Sequence, residues 1–337
     1  MKKHIYITAL SVLFINSVLF AVEGDGGYAG AFLRMGVGAR AIGMGNAFTS
    51  LADDVTAIYW NPAAISLVNK IQVGIMYGSL SYNQHFGFSG TIIPFQRSKK
   101  WYGSYQKEWD GLGAIAVGIL YLRIGDIDGR DENGLTTENF SDNEMAILVS
   151  YGKSFMGQIV SVGATAKYLY HSLAENSSKG FGFDLGVLGN PIPNLRFGLV
   201  AQDILSSLTW DTASQHKDKF PLSLRGGVSY SIPLQFRMRN YGRSKDSAQK
   251  VNVAFDITHN LKEDSIHPHA GVEAYFSSFL GVRIGYDNGR FTAGLSIFSP
   301  KTKRYYGRKT QYGFELDYAF STGKYGNRHL ISVEIDF

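Results

Sequence analysis

From residue 71 to the C-terminus the sequence alternates apolar and polar residues in segments too long for ordinary soluble strands. Fourteen such segments are legible, over 71–81, 84–95, 113–124, 142–155, 158–171, 180–189, 194–202, 220–233, 249–260, 267–277, 279–287, 289–298, 309–321 and 327–337. A soluble strand usually has about 5–6 residues, whereas a tilted strand crossing a bilayer needs about 9–11. The two faces differ sharply. Val251, Val253, Phe255 and Ile257 oppose Asn252, Asp256 and Thr258, and Tyr312, Phe314, Leu316, Tyr318 and Phe320 oppose Gln311, Glu315 and Asp317. A half-buried soluble sheet gives the same alternation, so strand length and aromatic placement decide between the two. The apolar faces often end in tyrosine, as at Tyr121, Tyr168, Tyr170, Tyr230 and Tyr286, which suits a lipid interface. The chain stops on an aromatic residue, Phe337, read as a C-terminal insertion signal. The expected fold is therefore all-β: a transmembrane antiparallel β-barrel of about 14 strands. The competing architecture, a secreted sandwich or propeller, lacks a repeat of propeller length.

In such a barrel the apolar face meets lipid and the polar face meets the lumen. Lys167, Asp184, Arg225, Asp256, Glu273, Arg283, Glu315 and Asp317 are then expected to point inward, because a charge on the lipid face near the midplane costs about 2–4 kcal/mol. Inside, they can pair with one another, with water or with a plug, or merely keep a solvated interior.

The start of the chain reads as a targeting segment. Met1-Lys2-Lys3-His4 is basic, Ile5 to Phe20 is apolar with four polar interruptions, and Ala21 precedes the Gly-rich "VEGDGGYAG". That is the layout of a signal peptide over 1–21, and the run is too short and polar for a membrane anchor. With no cysteine, a small disulfide-stabilised exported domain is excluded. Glycine is in excess, 39 of 337 residues against an average of about 7%; together with Tyr and Phe it suits antiparallel strands with aromatic belts. The net charge of +5 is too small and scattered to argue for nucleic acid. The expected partners are outer-membrane lipid and the barrel-assembly machinery, with no cofactor and no metal.

Between the strands, Asp287-Asn288-Gly289 is a hairpin signal. The polar stretches 125–141 and 203–219 read as long loops on the outer side, with the N-terminus on the periplasmic side. The connections 96–112 and 234–248 are then periplasmic and longer than the short-turn rule allows; they are rich in Lys, Arg and aromatics. The acidic "DIDGRDENG" misses EF-hand spacing.

Residues 24–70 do not alternate. "GVGARA" matches a dinucleotide fingerprint formally, but no strand precedes it and no parallel α/β pattern follows. In "DDVTAIYWNPAAISLV", Asn61 can cap a helix whose first turn holds Pro62, and Asp53 or Asp54 can cap the turn before. A compact, small-residue segment can sit inside a barrel without competing for strand pairing, since irregular backbone at membrane depth is allowed where protein surrounds it. Residues 22–70 are thus expected to form a hatch in the lumen, and 71–337 the barrel.

These residues carry a family resemblance. Gly38-Ala39-Arg40-Ala41, Ala52-Asp53-Asp54 and Trp60-Asn61-Pro62-Ala63 resemble the N-terminal signature of FadL-like outer-membrane proteins of the PorV/PorQ group. "GFGFDLGVL", "LRFGLVAQDI" and "LTWDT" resemble its later blocks. The resemblance implies about 14 strands with the N-terminal segment as an internal hatch, its motif being Asp53, Asp54, Trp60, Asn61, Pro62 and Ala63. It implies passage of hydrophobic, fatty-acid-like molecules through a hatch-gated barrel; alternatively, a PorV-like role in type IX secretion, with exported proteins bound at the surface loops. Ala64 stands where the family usually has Gly. No catalytic residues are expected: G-x-S-x-G is missing, and His267-Pro268-His269 lacks further ligands at any recognised metal spacing.

Overall fold

The computed structural model describes residues 29–101, 104–234, 249–262, 264–276, 279–299, 303–305, 308–310, 313–323 and 326–337, with backbone alone for 96–101, 104–111, 249, 303–305 and 308–310. Residues 1–28, which include the expected signal peptide, and most of the connection 234–248 lie outside the described residues. Fourteen strands form the wall: β1 Gln72–Leu80, β2 Gln84–Trp101, β3 Ser104–Ile127, β4 Phe140–Phe155, β5 Val160–Leu173, β6 Asn176–Ile192, β7 Leu195–Trp210, β8 Ser223–Leu234, β9 Gln249–Asn260, β10 Ser265–Tyr275, β11 Leu280–Asp287, β12 Arg290–Phe298, β13 Gly313–Ser321 and β14 Arg328–Asp336. Each pairs antiparallel with its sequence neighbours, and β14 pairs back with β1, so the sheet closes with no free edge. The Phe337 N–H donates to the Ile71 carbonyl at 2.9 Å, which puts both ends of the wall at one rim, here called the terminal end.

The outward faces carry an apolar band around the barrel, including Ile75, Val117, Val149, Leu185, Leu199, Phe255, Ile284 and Leu295, all exposed. A belt of that extent has no place in water and is the lipid-facing surface of a membrane barrel.

Two stretches read as loops are strand. β2 and β3 run on past the membrane-length segments as a paired ribbon to Trp101 and Ser104, after a register shift between Phe95 and Arg97. β7 continues beyond residue 202 to Trp210. There Asp203 and Leu205 take positive φ, 63° and 54°, so period two is lost locally. Leu205 is left exposed while Asp203 and Ser206 are buried. Pairing with β6 shifts register at the same place. A bulge of this kind hides a strand from pattern reading.

The N-terminal segment lies inside the wall. It comprises a 3-10 turn Ala31–Arg34, helices α1 Ala39–Gly43 and α2 Ala57–Trp60, and a second 3-10 turn Pro62–Leu67. Nearly every residue from Gly36 to Ile65 is buried. Its described start lies at the rim opposite the terminal end. The Arg34 guanidinium donates to the Pro221 carbonyl and that of Arg328 to the Met35 carbonyl, both at 3.4 Å. Pro221 and Arg328 belong to the rim opposite the terminal end. The segment therefore runs through the lumen from the far mouth to residue 71 at the terminal end.

Candidate functional site

The segment touches the wall in three chemically different ways. The first is backbone against backbone. A methyl group on Gly271 of β10 would lie 2.2 Å from the Met44 carbonyl oxygen, one on Gly285 of β11 2.2 Å from the Gly45 nitrogen, and one on Gly163 of β5 2.3 Å from Pro62 main-chain atoms. Gly198 approaches the Thr49 carbonyl in the same manner, and Gly186 makes room for the Asn61 and Pro62 side chains. The glycine excess is therefore not explained by belts and turns alone: inward-facing wall glycines make room for the chain they enclose.

The second is charge. Arg40 on α1 donates through Nε and Nη2 to both Glu273 carboxylate oxygens, at 2.9 and 3.1 Å, and through Nη1 to Asp53 at 2.5 Å and Asp54 at 3.0 Å. Glu273 also accepts from Arg283 Nε at 2.5 Å and Asn252 at 2.8 Å, and Arg283 extends to Asp317 at 2.7 Å and to the half-buried Glu315 at 3.4 Å. Asp256 accepts the Phe48 and Thr49 N–H groups at 2.9 and 2.8 Å, and Arg225 Nε at 3.3 Å. The Arg225 guanidinium also donates to the Asn46 carbonyl and lies 4.6 Å from the Trp60 ring centroid. Lys167 is 2.7 Å from both Asp184 and Asp203, pinning the β7 bulge instead of reaching the segment. Seven of the eight polar wall residues named from sequence are thus buried, with Glu315 half-buried. Four of them, Glu273 and Asp256 with their partners Arg283 and Arg225, bind or support the enclosed segment.

The third is apolar. Met76, Phe86, Phe88, Ile92, Leu120 and Leu148 of β1–β4 are buried in one core with Ile58 and Ile65. The expectation of a polar lumen is corrected here. On this side the inward residues meet the apolar face of α2 and the second 3-10 turn instead of water, so burial rewards apolar side chains.

Asn61 holds the corner. It is fully buried, its Oδ1 accepts the Ala63 N–H at 3.1 Å, and its Nδ2 donates to the Thr49 and Val187 carbonyls at 3.0 and 3.2 Å. Pro62 takes the first position of the turn. Asp54 Oδ1 accepts the Thr56 N–H at 2.9 Å, and Trp60 Nε1 donates to the Val37 carbonyl at 2.8 Å. Asn61→Ala leaves the buried Ala63 N–H and Thr49 carbonyl, and the part-buried Val187 carbonyl, short of a partner. It is expected to lower stability in urea titration of micellar protein by about 1–3 kcal/mol, with Asn61→Ser recovering the part due to the Ala63 cap.

Sequence reasoning missed Arg40, Asn46, Asp203 and Asp287 as site residues. Arg40 left a signal: it is the sole charged residue between Arg34 and Asp53. Asn46 donates to Asp287 at 3.0 Å, and Asp287 pairs with His269 at 2.8 Å. His267 hydrogen-bonds Ser265 and Asn288, and no metal-holding group of His, Cys, Asp or Glu occurs among the described residues. Phe337 is half-exposed at the terminal rim.

No protein-family model matches the chain, and no curated protein sequence matches it. Solved structures do. A FadL homologue of Pseudomonas aeruginosa superposes with a TM-score of 0.51 at 10% identity, covering 89% of this chain and 98% of its own. The Pseudomonas putida toluene transporter TodX superposes with a TM-score of 0.52 at 12% identity, covering 89% and 97%. At such identity the likeness is one of fold: a closed 14-strand antiparallel barrel of the FadL-like outer-membrane kind.

Proposed function

We propose that this chain is an outer-membrane protein, exported by its N-terminal signal peptide, that passes hydrophobic small molecules through a barrel gated by residues 22–70. The observation carrying this reading is the segment itself. It fills the lumen, yet charged anchors, glycine contacts and apolar packing hold it instead of strand pairing. Such a body can shift without opening the wall. The apolar lining of β1–β4 gives an apolar solute a surface to follow once the segment moves. Transport, and not catalysis, is read as its activity.

Ser66 and Ser154 offer a test. Their hydroxyl oxygens are 2.7 Å apart, one on the segment and one on β4, and the chain has no cysteine. Proteoliposomes with the S66C/S154C pair should take up radiolabelled oleate or toluene when reduced and stop when oxidised. Uptake unchanged by the cross-link sinks the gate, and no uptake above empty liposomes by the unmodified protein sinks transport.

A second reading is favoured by how completely the segment fills the lumen. The barrel stays closed and the far-end loops bind exported proteins, in the manner of a secretion carrier. Failure of transport together with a co-purifying exported protein would favour it.

A further inference from the structure

Charge is segregated between the two ends of the barrel. The three long connections at the terminal end, 96–112, 234–248 and 299–312, hold 13 Lys or Arg against three Asp or Glu, in a chain whose total is +5. At the far end, the loop between β3 and β4 has the opposite sign, with Asp128, Asp131, Glu132 and Glu138 against Arg130.

The backbone places part of this charge on two ribbons: the ends of β2 and β3, and a short hairpin of Lys303–Tyr305 with Arg308–Thr310. In the barrel they flank β1, β14 and β13, where the chain enters and leaves the wall. Register gives few of these cations an acidic residue directly opposite. Arg97 stands opposite Glu108, but Lys99 stands opposite Gln106, Lys100 opposite Tyr105 and Lys107 opposite Ser98. On the hairpin, Arg304 stands opposite Lys309 and Arg308 opposite Tyr305. Like charges directly opposite across two strands are destabilising, and anions from outside the chain would relieve the Arg304–Lys309 register.

Those anions are close by. The ribbons begin where the lipid-facing band stops: Phe95 and Leu112 at β2 and β3, Ile297 and Phe314 at β12 and β13, all exposed and apolar. The cations follow within a few residues of that edge, at the level of the lipid headgroups. Aromatic residues interleave with them, Trp101 and Tyr105 on one ribbon and Tyr305 on the other, as at a membrane interface. We propose that the terminal end is a binding surface for anionic phospholipid headgroups, with Lys99, Lys100, Lys107, Arg304, Arg308 and Lys309 supplying the phosphate-binding charge. Headgroup phosphates between the ribbons would relieve the like-charge register and hold the rim at a fixed depth in that leaflet.

The test uses the full chain released from nanodiscs of equal parts phosphatidylglycerol and phosphatidylcholine, with retained lipid identified by native mass spectrometry. Phosphatidylglycerol should be retained at least about fivefold over phosphatidylcholine at low salt, the order expected for a single engaged cation, and the preference should fall as salt rises. The variant K99Q/K100Q/K107Q/R304Q/R308Q/K309Q should approach parity while still shifting on unheated gels as a folded barrel. Equal retention by the wild type, or a preference that survives the six substitutions, overturns the proposal. So does salt-sensitive binding of soluble polyglutamate without lipid preference, which would assign the surface to an acidic protein.

Discussion

Gly271→Ala is expected to destabilise the folded barrel by about 3 kcal/mol or more, whereas Gly226→Ala is expected to change it little. The added carbon at Gly271 meets the Met44 carbonyl oxygen at 2.2 Å and the Met44 carbonyl carbon and Cα at 2.8 Å. All three are main-chain atoms, so no side chain can rotate away. In this closed arrangement the segment has no room to retreat here either: Gly45 has φ +64° and lies against Tyr286 main-chain atoms and the Ala270 carbonyl, while Gly285 closes on it from β11. Overpacking usually costs about 1–3 kcal/mol, and rigid contacts on both sides put this site at the top of that range. At Gly226 the nearest atom is the Leu199 Cδ2 at 3.4 Å, an ordinary contact. Urea titration followed by the mobility of unheated samples on gels measures both. Equal midpoints for the two variants would mean that the segment is not locked between β10 and β11.

Arg40→Met should cost about 3–5 kcal/mol, because Glu273, fully buried, and Asp54, nearly so, lose their shared cation. Asp53 loses it as well. Most of that cost is the penalty of the stranded carboxylates. Adding Glu273→Gln should therefore recover part of it, since the amide is neutral and can still accept from Arg283. The double-mutant cycle should yield a coupling of about 0.5–3 kcal/mol. Additivity of the two substitutions would show that the contact at 2.9 Å does not anchor α1 to β10.

The strands were legible because alternation is a local property. In Val251 to Ile257 each side chain's face follows from the one before, so Asp256 could be assigned inward without knowing its partner. The Asn61-Pro62 corner was legible for the same reason: cap and first turn lie within three residues. Legibility failed where the backbone left its period, as at Asp203 and Leu205. It failed again where partners lie far apart in sequence. Nothing near Arg40 announces Glu273, 233 residues away. Nothing near Gly271 announces that Met44 will lie against it.

By itself, then, the sequence determined a long-stranded barrel with an apolar outside, a compact segment at its start and the basic connections that follow its lipid-facing band. The tertiary structure alone decided which end of the lumen the segment enters and which wall glycines it needs. It also decided which half of the interior is apolar, because an inward side chain is selected by what it meets, and what it meets is set by closure of the barrel around the segment.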